Sequence, residues 1–245
     1  MDSGYYAACT ALVTRTQAMD TIANNLANAN TVGYRAEHNV FRSVLADAGD
    51  REESSFDQVV NRYGILSGTA IDETQGALQK TGNELDMAID GPGFFVVKTA
   101  NGTMYTRNGA FQVSASRQLV TSNGDVVMGD RGAITLPSGN ISISADGTIS
   151  SNGAVSGKLS VVEFTPGTEL TSMGNTYYTA PPDSETPSGK SSVRQGMLES
   201  SNVNPILGLV ELISAQRQAE MAQRTLTEFS NEMDKLDSQD LSKVS

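Results

Sequence analysis

The residues of this chain that could carry out catalysis are few and scattered. His38 is the only histidine and Cys9 the only cysteine among 245 residues. A structural zinc site needs about four nitrogen, sulfur or oxygen ligands close together. A serine nucleophile paired with His38 would be expected on a G-x-S-x-G turn, which the sequence lacks. We therefore interpret His38 as a polar residue beyond a helix end and Cys9 as a small, half-buried residue. We predict no catalytic, metal or cofactor site.

A pair of carboxylates has a spacing that could serve acid–base chemistry. In a strand, alternation places Asp86 and Asp90 on one face, with Met87 and Ile89 on the other. The glycines of the following segment, 91–93, do not form a dinucleotide loop, because the third glycine and the following helix are missing. This pattern favours a solvent-facing strand edge that leads into a turn.

A cluster of amide side chains near the N-terminus is more informative. Asn24, Asn25, Asn28 and Asn30 fall within seven consecutive positions, although asparagine is a poor helix former. Asn24 and Asn28 are four residues apart, so a helix would place them on one face. A solvated, fraying helix end would explain the cluster. The alternative is a hydrogen-bonded interface in which another chain supplies the partners.

The amides end an apolar pattern that begins far upstream. Residues 5, 8, 12, 15, 19, 22 and 26 are separated by steps of three and four. Arg15 is the exception among six apolar or aromatic residues, which are Tyr5, Ala8, Leu12, Met19, Ile22 and Leu26. This spacing predicts a helix over residues 5–27 with a coiled-coil-like seam. Gly33 is placed to adopt a left-handed conformation after the helix.

A second apolar pattern lies near the C-terminus and also has steps of three and four. Its members are Leu212, Ala215, Ala219, Ala222, Leu226, Phe229, Met233 and Leu236. It predicts a helix over residues 205–237, with Asn204 as the cap and Pro205 in the first helical position. Isolated helices are marginal in water. Both seams therefore need partners, either each other or helices of other chains.

The signals between the two helices are those of turns and short strands. Asx-Gly pairs, which favour type I′ turns, begin at residues 101, 108, 123, 146 and 152. The apolar stretches around them predict antiparallel strands. The expected fold is α+β, with long terminal helices flanking a central all-β module. We expect an N-terminal helix and turn over 1–45, an extended connector over 46–84, the β module over 85–190 and a C-terminal helical segment over 191–245.

Charge and hydropathy exclude several classes of partner. The net charge is −11, which argues against binding to nucleic acid and against a polybasic membrane anchor. No apolar run approaches the roughly 18 residues of a membrane span. The first residues lack the basic and apolar parts of a cleaved signal peptide. We expect no membrane insertion and no nucleic-acid partner.

Four segments resemble the flagellar axial proteins, the group that forms the rod, the hook and the hook–filament junction. ANNLANANTVGYR (23–35) is similar to their N-terminal signature, and residues 195–220 are similar to the matching C-terminal end. Residues 75–97 and 105–129 resemble their central β module. The similarity extends over nearly the whole chain, and the combination of both terminal motifs is specific.

Within this group, the chain length favours the proximal-rod and distal-rod types over the hook protein and the shortest rod proteins. The opening Met1-Asp2, residues 132–150 and the ending LSKVS resemble the proximal-rod type more, with the distal-rod type as the near alternative. The resemblance implies a structural subunit that self-assembles helically through its terminal helices and transmits torque in the basal-body rod. A secreted β-rich binding module is the remaining alternative, and an enzyme is not expected. The implied partners are copies of this chain, other rod subunits and the flagellar type III export apparatus, which would deliver it to the periplasmic rod. The seam residues and the amides of Asn24, Asn25 and Asn28 are then the expected subunit contacts.

Overall fold

Two helices flank a set of short strands in the computed structural model. It describes residues 2–43, 64–165 and 167–241, and the side chains of residues 9–40, 69–165 and 167–231. Within these ranges the order is one helix, nineteen strands and a second helix. The predicted α+β fold, with an antiparallel β module between two helices, is confirmed. A coiled coil is not part of what the structure shows.

Both helices begin and end close to the predicted residues. Helix α1 spans Asp2–Ala27 and helix α2 spans Pro205–Leu241. The Asn204 side-chain oxygen accepts hydrogen bonds from the backbone N–H groups of Ile206 and Leu207, at 3.1 and 3.2 Å. This is the predicted N-cap, which pairs donors that have no partner within the helix. Gly33 follows α1 with a φ of 69°, the left-handed conformation expected of it.

The strands are short, and many are separated by only one to four residues. Their bounds are β1 (Glu37–Ser43), β2 (Gly64–Ile71), β3 (Leu78–Lys80), β4 (Met87–Asp90), β5 (Phe94–Thr99), β6 (Gly102–Thr106), β7 (Gln112–Val113), β8 (Leu119–Val120), β9 (Val126–Gly129), β10 (Gly132–Ala133), β11 (Ile141–Ile143), β12 (Thr148–Ser151), β13 (Ala154–Lys158), β14 (Val161–Phe164), β15 (Thr171–Ser172), β16 (Tyr177–Thr179), β17 (Glu185–Pro187), β18 (Ser192–Gln195) and β19 (Met197–Glu199).

The largest sheet has ten strands and is built on the β5–β6 hairpin. Its main path is β15-β16-β6-β5-β9-β8-β7, with β10 beside β9 and β14 paired with both β5 and β17. Strands β11, β12 and β13 form a separate meander, and β1 pairs with β2. The late strands β18 and β19 return to pair with the early strands β4 and β3. This return brings residues near 195 back to residues near 85.

The chain forms two compact units. The helical unit consists of Met1–Leu26, His38–Thr69 and Asn204–Ser245, and the β unit of Ala27–Glu37 and Ala70–Val203. In the helical unit, Leu26 Cδ1 lies 3.9 Å from the position that a Cβ on Gly208 would occupy. The C-terminal end of α1 therefore approaches the first turn of α2 within one chain.

Two apolar clusters form the core of the β unit. The larger cluster contains Met87, Ile89, Phe95, Val97, Met104, Phe111, Leu119, Val127, Ile134, Leu136, Ile143, Ile149, Leu159, Tyr177 and Val193. The smaller cluster contains Phe94, Val96, Tyr105, Val162, Leu170 and Tyr178. Strand β5 supplies alternate side chains to the two clusters, as the period of a strand with two covered faces requires.

The predicted type I′ turns form at one of the five Asx-Gly pairs. Asn152 and Gly153 both have positive φ, 50° and 83°, in the turn between β12 and β13. At residues 101–102, 123–124 and 146–147 only the glycine has positive φ, so the prediction is wrong there. Neither residue of the pair at 108–109 has positive φ. Gly109 is needed there for space, because a Cβ would overlap the Met87 carbonyl oxygen.

We expect Gly33→Ala to destabilise the β unit more than Gly82→Ala. Both glycines have positive φ, which disfavours alanine by about 1–2 kcal/mol. A Cβ on Gly33 would also overlap the backbone of Arg107 and Asn108, whereas nothing lies within 4 Å of a Cβ on Gly82. Overpacking of this kind adds about 1–3 kcal/mol. Urea unfolding measures both losses, and equal losses would show that the close backbone approach is not a constraint.

Candidate functional site

Three charged side chains meet inside the β unit, and we name Arg35, Arg107 and Glu199 the buried charged cluster. Each is 1% exposed. Arg35 Nη2 lies 2.8 Å from Glu199 Oε1, and Arg107 Nη1 lies 3.2 Å from Glu199 Oε2. With two guanidinium groups and one carboxylate, the cluster carries a net positive charge away from water. Removing the carboxylate from such a cluster is strongly destabilising, because it leaves buried positive charge without a partner.

Arg35 reaches the cluster from the segment that follows α1. Its Nη1 donates hydrogen bonds to the backbone carbonyls of Glu73, at 2.5 Å, and Thr74. Its backbone N–H donates to the Tyr178 hydroxyl at 3.2 Å. Burial is the main cause that raises the pKa of Tyr178 to about 12. Arg35 thus connects the residues after α1 to two other parts of the β unit.

Arg107 enters the cluster from the residue after β6. Its guanidinium donates to the carbonyls of Ile89 and Gly91, at 3.4 and 2.6 Å, and lies 4.8 Å from the centre of the Phe94 ring. Burial, and secondarily the charge of Arg35, lowers the pKa of Arg107 to about 10, while Glu199 opposes the shift. Arg107 therefore holds the β4–β5 turn and the carboxylate of β19 together.

Glu199 and Asn202 bind the segment after α1 from the C-terminal side. Glu199 accepts the N–H of Gly33 at its backbone carbonyl, at 2.8 Å, and the N–H of Gly76 at its carboxylate, at 3.0 Å. The Asn202 side-chain oxygen accepts the N–H of Ala36 at 2.7 Å. Its amide nitrogen donates to the carbonyls of residues 72 and 74, at 3.1 and 3.0 Å. The residues that leave α1 and those that enter α2 therefore lie side by side in the β unit.

The residues of the predicted seams are mostly half-buried within one chain. The half-buried members are Leu12, Met19, Ile22, Leu26, Leu212, Ala219, Ala222 and Leu226. Ala215 is buried, at 8% exposure, and Phe229 is exposed, at 38%. The side chains of Tyr5, Met233 and Leu236 lie outside the described residues. The seams thus have part of their surface covered in the single chain and part of it accessible.

The predicted interface amides differ in exposure. Asn24 is exposed, whereas Asn25 and Asn28 are half-buried. The Asn28 side-chain oxygen accepts a hydrogen bond from the Thr31 hydroxyl at 3.1 Å, and its carbonyl accepts the Thr31 N–H at 3.0 Å. Asn28 thus takes part in the turn that follows α1, in addition to any role in an interface.

An exposed apolar face on α2 lies beside the predicted seam. Ile206 is 77% exposed, Val210 61% and Ile213 51%. These residues are separated by steps of four and three, so they lie along one side of the helix. Leu207, Leu209 and Met221 add to the exposed apolar surface of the helix. The spacing of these apolar residues is present in the sequence, but the longer apolar pattern over 212–236 led us to predict only the seam.

The residues considered for catalysis are not brought together. Cys9 is half-buried in α1, and His38 is exposed in β1. Asp86 is buried and accepts a hydrogen bond from the Asn83 amide at 3.0 Å, so the expected solvent-facing position is wrong. Asp90 lies at the surface, 3.1 Å from Arg194.

The described residues contain neither a group of metal ligands nor a membrane-spanning helix. No three His, Cys, Asp or Glu residues of this part of the chain are grouped as metal ligands would be. Neither described helix combines the length and the hydropathy of a membrane span.

Three models of known protein families match segments near both ends of the chain and in its centre. Residues 6–35 match the flagella basal body rod protein family, 88–151 the flagellar hook protein FlgE/F/G D1 domain and 194–238 the flagellar basal body rod FlgEFG protein C-terminal family. The flagellar basal-body rod protein FlgF of Mesorhizobium japonicum is 32% identical, over 90% of both chains. This chain belongs to the flagellar basal-body rod protein family.

Proteins of both rod types, FlgF and FlgG, are similar to this chain. FlgF of Salmonella typhimurium is 33% identical, over 93% of this chain and 94% of its own. The flagellar basal-body rod protein FlgG of Bacillus subtilis is also 33% identical, over 85% of this chain and 88% of its own. The resemblance that the sequence motifs indicated is confirmed. The identity values do not separate the two types.

The buried charged cluster joins the three segments that match the rod-family models. Arg35 is the last residue of the first matched segment, Arg107 lies in the second and Glu199 in the third. The segments that resemble the axial proteins contain all three residues: Arg35 lies in 23–35, Arg107 in 105–129 and Glu199 in 195–220. Sequence reasoning missed the cluster, because nothing in one sequence pairs charges that are so far apart.

We expect Glu199→Gln to destabilise the β unit by about 3–5 kcal/mol, because two buried guanidinium groups lose their counter-charge. Asp90→Asn is the matched control, since it removes the carboxylate of an ion pair whose side chains are 46% and 52% exposed. An exposed pair of this kind contributes about 0–1 kcal/mol. Urea unfolding at neutral pH compares the two variants. Similar losses would contradict a dominant role for Glu199.

We expect the free energy of unfolding to fall as the pH rises from about 10 to about 12. Tyr34, Tyr105, Tyr177 and Tyr178 all have raised pKa values, mainly because they are buried. The unfolded chain then loses phenolic protons that the folded chain keeps. The lowered pKa of Arg107 acts in the opposite direction, but it is one group against four.

Urea unfolding at about pH 9 and about pH 11, with tyrosinate absorbance measured in parallel, checks this dependence. Tyr178→Phe should reduce the slope of stability against pH, whatever it does to stability at neutral pH. An unchanged slope in this variant would exclude Tyr178 as a source of the dependence.

Proposed function

We propose that this chain is a structural subunit of the flagellar basal-body rod. The observation that carries the proposal is its similarity to basal-body rod proteins over 90% of its length. The two helices with accessible apolar surface are consistent with it, because a subunit of an extended assembly must leave surface for its neighbours. Head-to-tail contacts that do not close generate a helical filament.

The outer face of α2 supports an assembly role. Ile206, Val210 and Ile213 are all more than half exposed. Complete burial of one such side chain stabilises a contact by about 1.5–3 kcal/mol. Covering the exposed part of all three would contribute to a contact that repeats along a filament, in addition to the contacts of the seams. We therefore place subunit contacts on this face as well as on the seams.

The seam residues and the amides belong to the same proposal. Leu12, Met19 and Ile22 on α1 are half-buried, so a neighbouring helix can cover the rest of their surface in a coiled-coil-like contact. Asn24 and Asn25 lie beside them on the last turns of α1. In the assembled rod their amides would bond to adjacent subunits. The folding of both chain ends would then be completed on assembly.

The buried charged cluster supports a role in transmitting load. Arg35 and Glu199 are on the segments that continue into α1 and α2, and they bind each other inside the β unit. A force on the chain at either segment is therefore shared by both. Many repeated subunit contacts would make the filament stiff enough to carry torque.

We place the subunit in the proximal rod, with the distal rod as the second candidate. The resemblance at residues 132–150 favours the first, and relatives named FlgF and FlgG leave both open. Other rod subunits, copies of this chain and the flagellar type III export apparatus would be its partners. The subunit would reach the periplasmic rod without a cleaved signal peptide. It would have no catalytic activity and no nucleic-acid partner.

We expect the double substitution Val210→Asn and Ile213→Asn to abolish swimming, because it removes apolar surface needed between subunits. The stability of the isolated subunit should change little, since both side chains are more than half exposed. Gln216→Asn, at an exposed polar position of α2, is the control for the lower helix propensity of asparagine.

Complementation of a strain that lacks the native copy measures swimming, and electron microscopy of isolated basal bodies shows where the rod ends. A truncated proximal rod supports the first placement, and loss of only the distal part supports the second. Full motility of the double variant would exclude the outer face of α2 as a subunit contact.

A further inference from the structure

Residues 27–37 join the β unit from a distant part of the sequence, and we name them the strap. They are separated from the rest of the unit by residues 38–69, which belong to the helical unit. Neither core cluster includes a residue of the strap. Except for Glu37, where β1 begins, its residues belong to no strand. Both core clusters are therefore formed by other residues.

The strap is held by polar contacts and by two buried apolar side chains, Tyr34 and Ala36, which are 7% and 8% exposed. Gly33 donates its N–H to the Glu199 carbonyl at 2.8 Å, and Ala36 donates to the Asn202 side chain at 2.7 Å. The Ala36 carbonyl accepts the N–H of Asp72 at 2.8 Å. Water can replace hydrogen bonds of this kind at a net loss of about 0.5–1.5 kcal/mol each. Local opening is expected where few apolar contacts hold a segment.

The charge balance of the cluster allows the strap to be released without leaving an unpaired charge behind. Without Arg35, the cluster consists of Arg107 and Glu199, one cation and one anion at 3.2 Å. Closing the strap adds a second guanidinium, which shares the Glu199 carboxylate with Arg107 and donates to two backbone carbonyls. Removing an ion from water has a penalty of several kcal/mol. Opening returns Arg35 to water and leaves a matched pair behind.

We propose that residues 27–37 are a releasable strap, closed by Arg35 on Glu199, that opens while both cores of the β unit stay folded. Opening separates the segment that leaves α1 from the segment that enters α2. This behaviour belongs to the isolated chain and holds whether or not it builds a rod. Its use in placing α1 before a subunit is locked in position rests on the proposed function.

Hydrogen exchange of the full-length wild-type chain, followed by NMR, tests the opening. The reporters are the N–H groups of Gly33 and Ala36 in the strap, and of Val97 and Val127 in paired core strands. The strap amides should exchange at least about tenfold faster than the core amides, and low urea should accelerate only the core amides. Equal exchange with equal urea dependence would overturn the proposal.

Three arginine substitutions test how the strap is closed. Arg35→Gln should accelerate exchange at Gly33 and Ala36 by about tenfold or more, with core exchange unchanged within about twofold. Arg107→Gln should accelerate both, because Arg107 also binds the carbonyls of Ile89 and Gly91. Arg194→Gln, at the surface ion pair with Asp90, should change neither.

Two results for Arg35→Gln would contradict the proposal. Faster core exchange of the same size as in the strap, or failure to fold, would show that Arg35 is an integral part of the β unit. Unchanged strap exchange would show that Arg35 does not close it. Because these measurements use the isolated chain, they are independent of any result on motility.

Discussion

One carboxylate between two buried guanidinium groups is the constraint on which the rest of this structure depends. Glu199 cannot leave the interior of the β unit without leaving Arg107 unpaired, and Arg107 in turn holds the carbonyls of the β4–β5 turn. A buried ionic group adds little stability over an apolar one of the same shape, but it tolerates few alternative arrangements. Its contribution is therefore a unique pairing of segments that are distant in sequence.

This pairing brings together the two segments that connect the β unit to the helices. A β unit inserted between two terminal helices must bring its first and last residues together if the helices are to act as one part. Strands β18 and β19 do so by pairing with β4 and β3, and Glu199 is the last residue of β19. The apolar cores stabilise the β unit, whereas the buried charged cluster holds the segments through which the chain enters and leaves it.

Local patterns predicted the local elements well. The two helices, the cap at Asn204 and the left-handed Gly33 depend on neighbouring residues alone, and the structure has all of them. Turn geometry was harder, since most Asx-Gly pairs form turns in which only the glycine has positive φ. The burial of Asp86 and the pairing of Arg35 with Glu199 are long-range facts, and no periodicity in one sequence encodes them. The family motifs indicated membership, but not which of their charges meet.

The separation of the strap from its partners along the chain has a consequence for the order of events. Ala36 and Asn202 are 166 residues apart, so their contact closes a very long loop and cannot form before both of its ends are available. A chain that is delivered N-terminus first through a narrow passage would expose Arg35 long before Glu199 arrives. The contact between Arg35 and Glu199 would therefore form only when nearly the whole subunit has emerged.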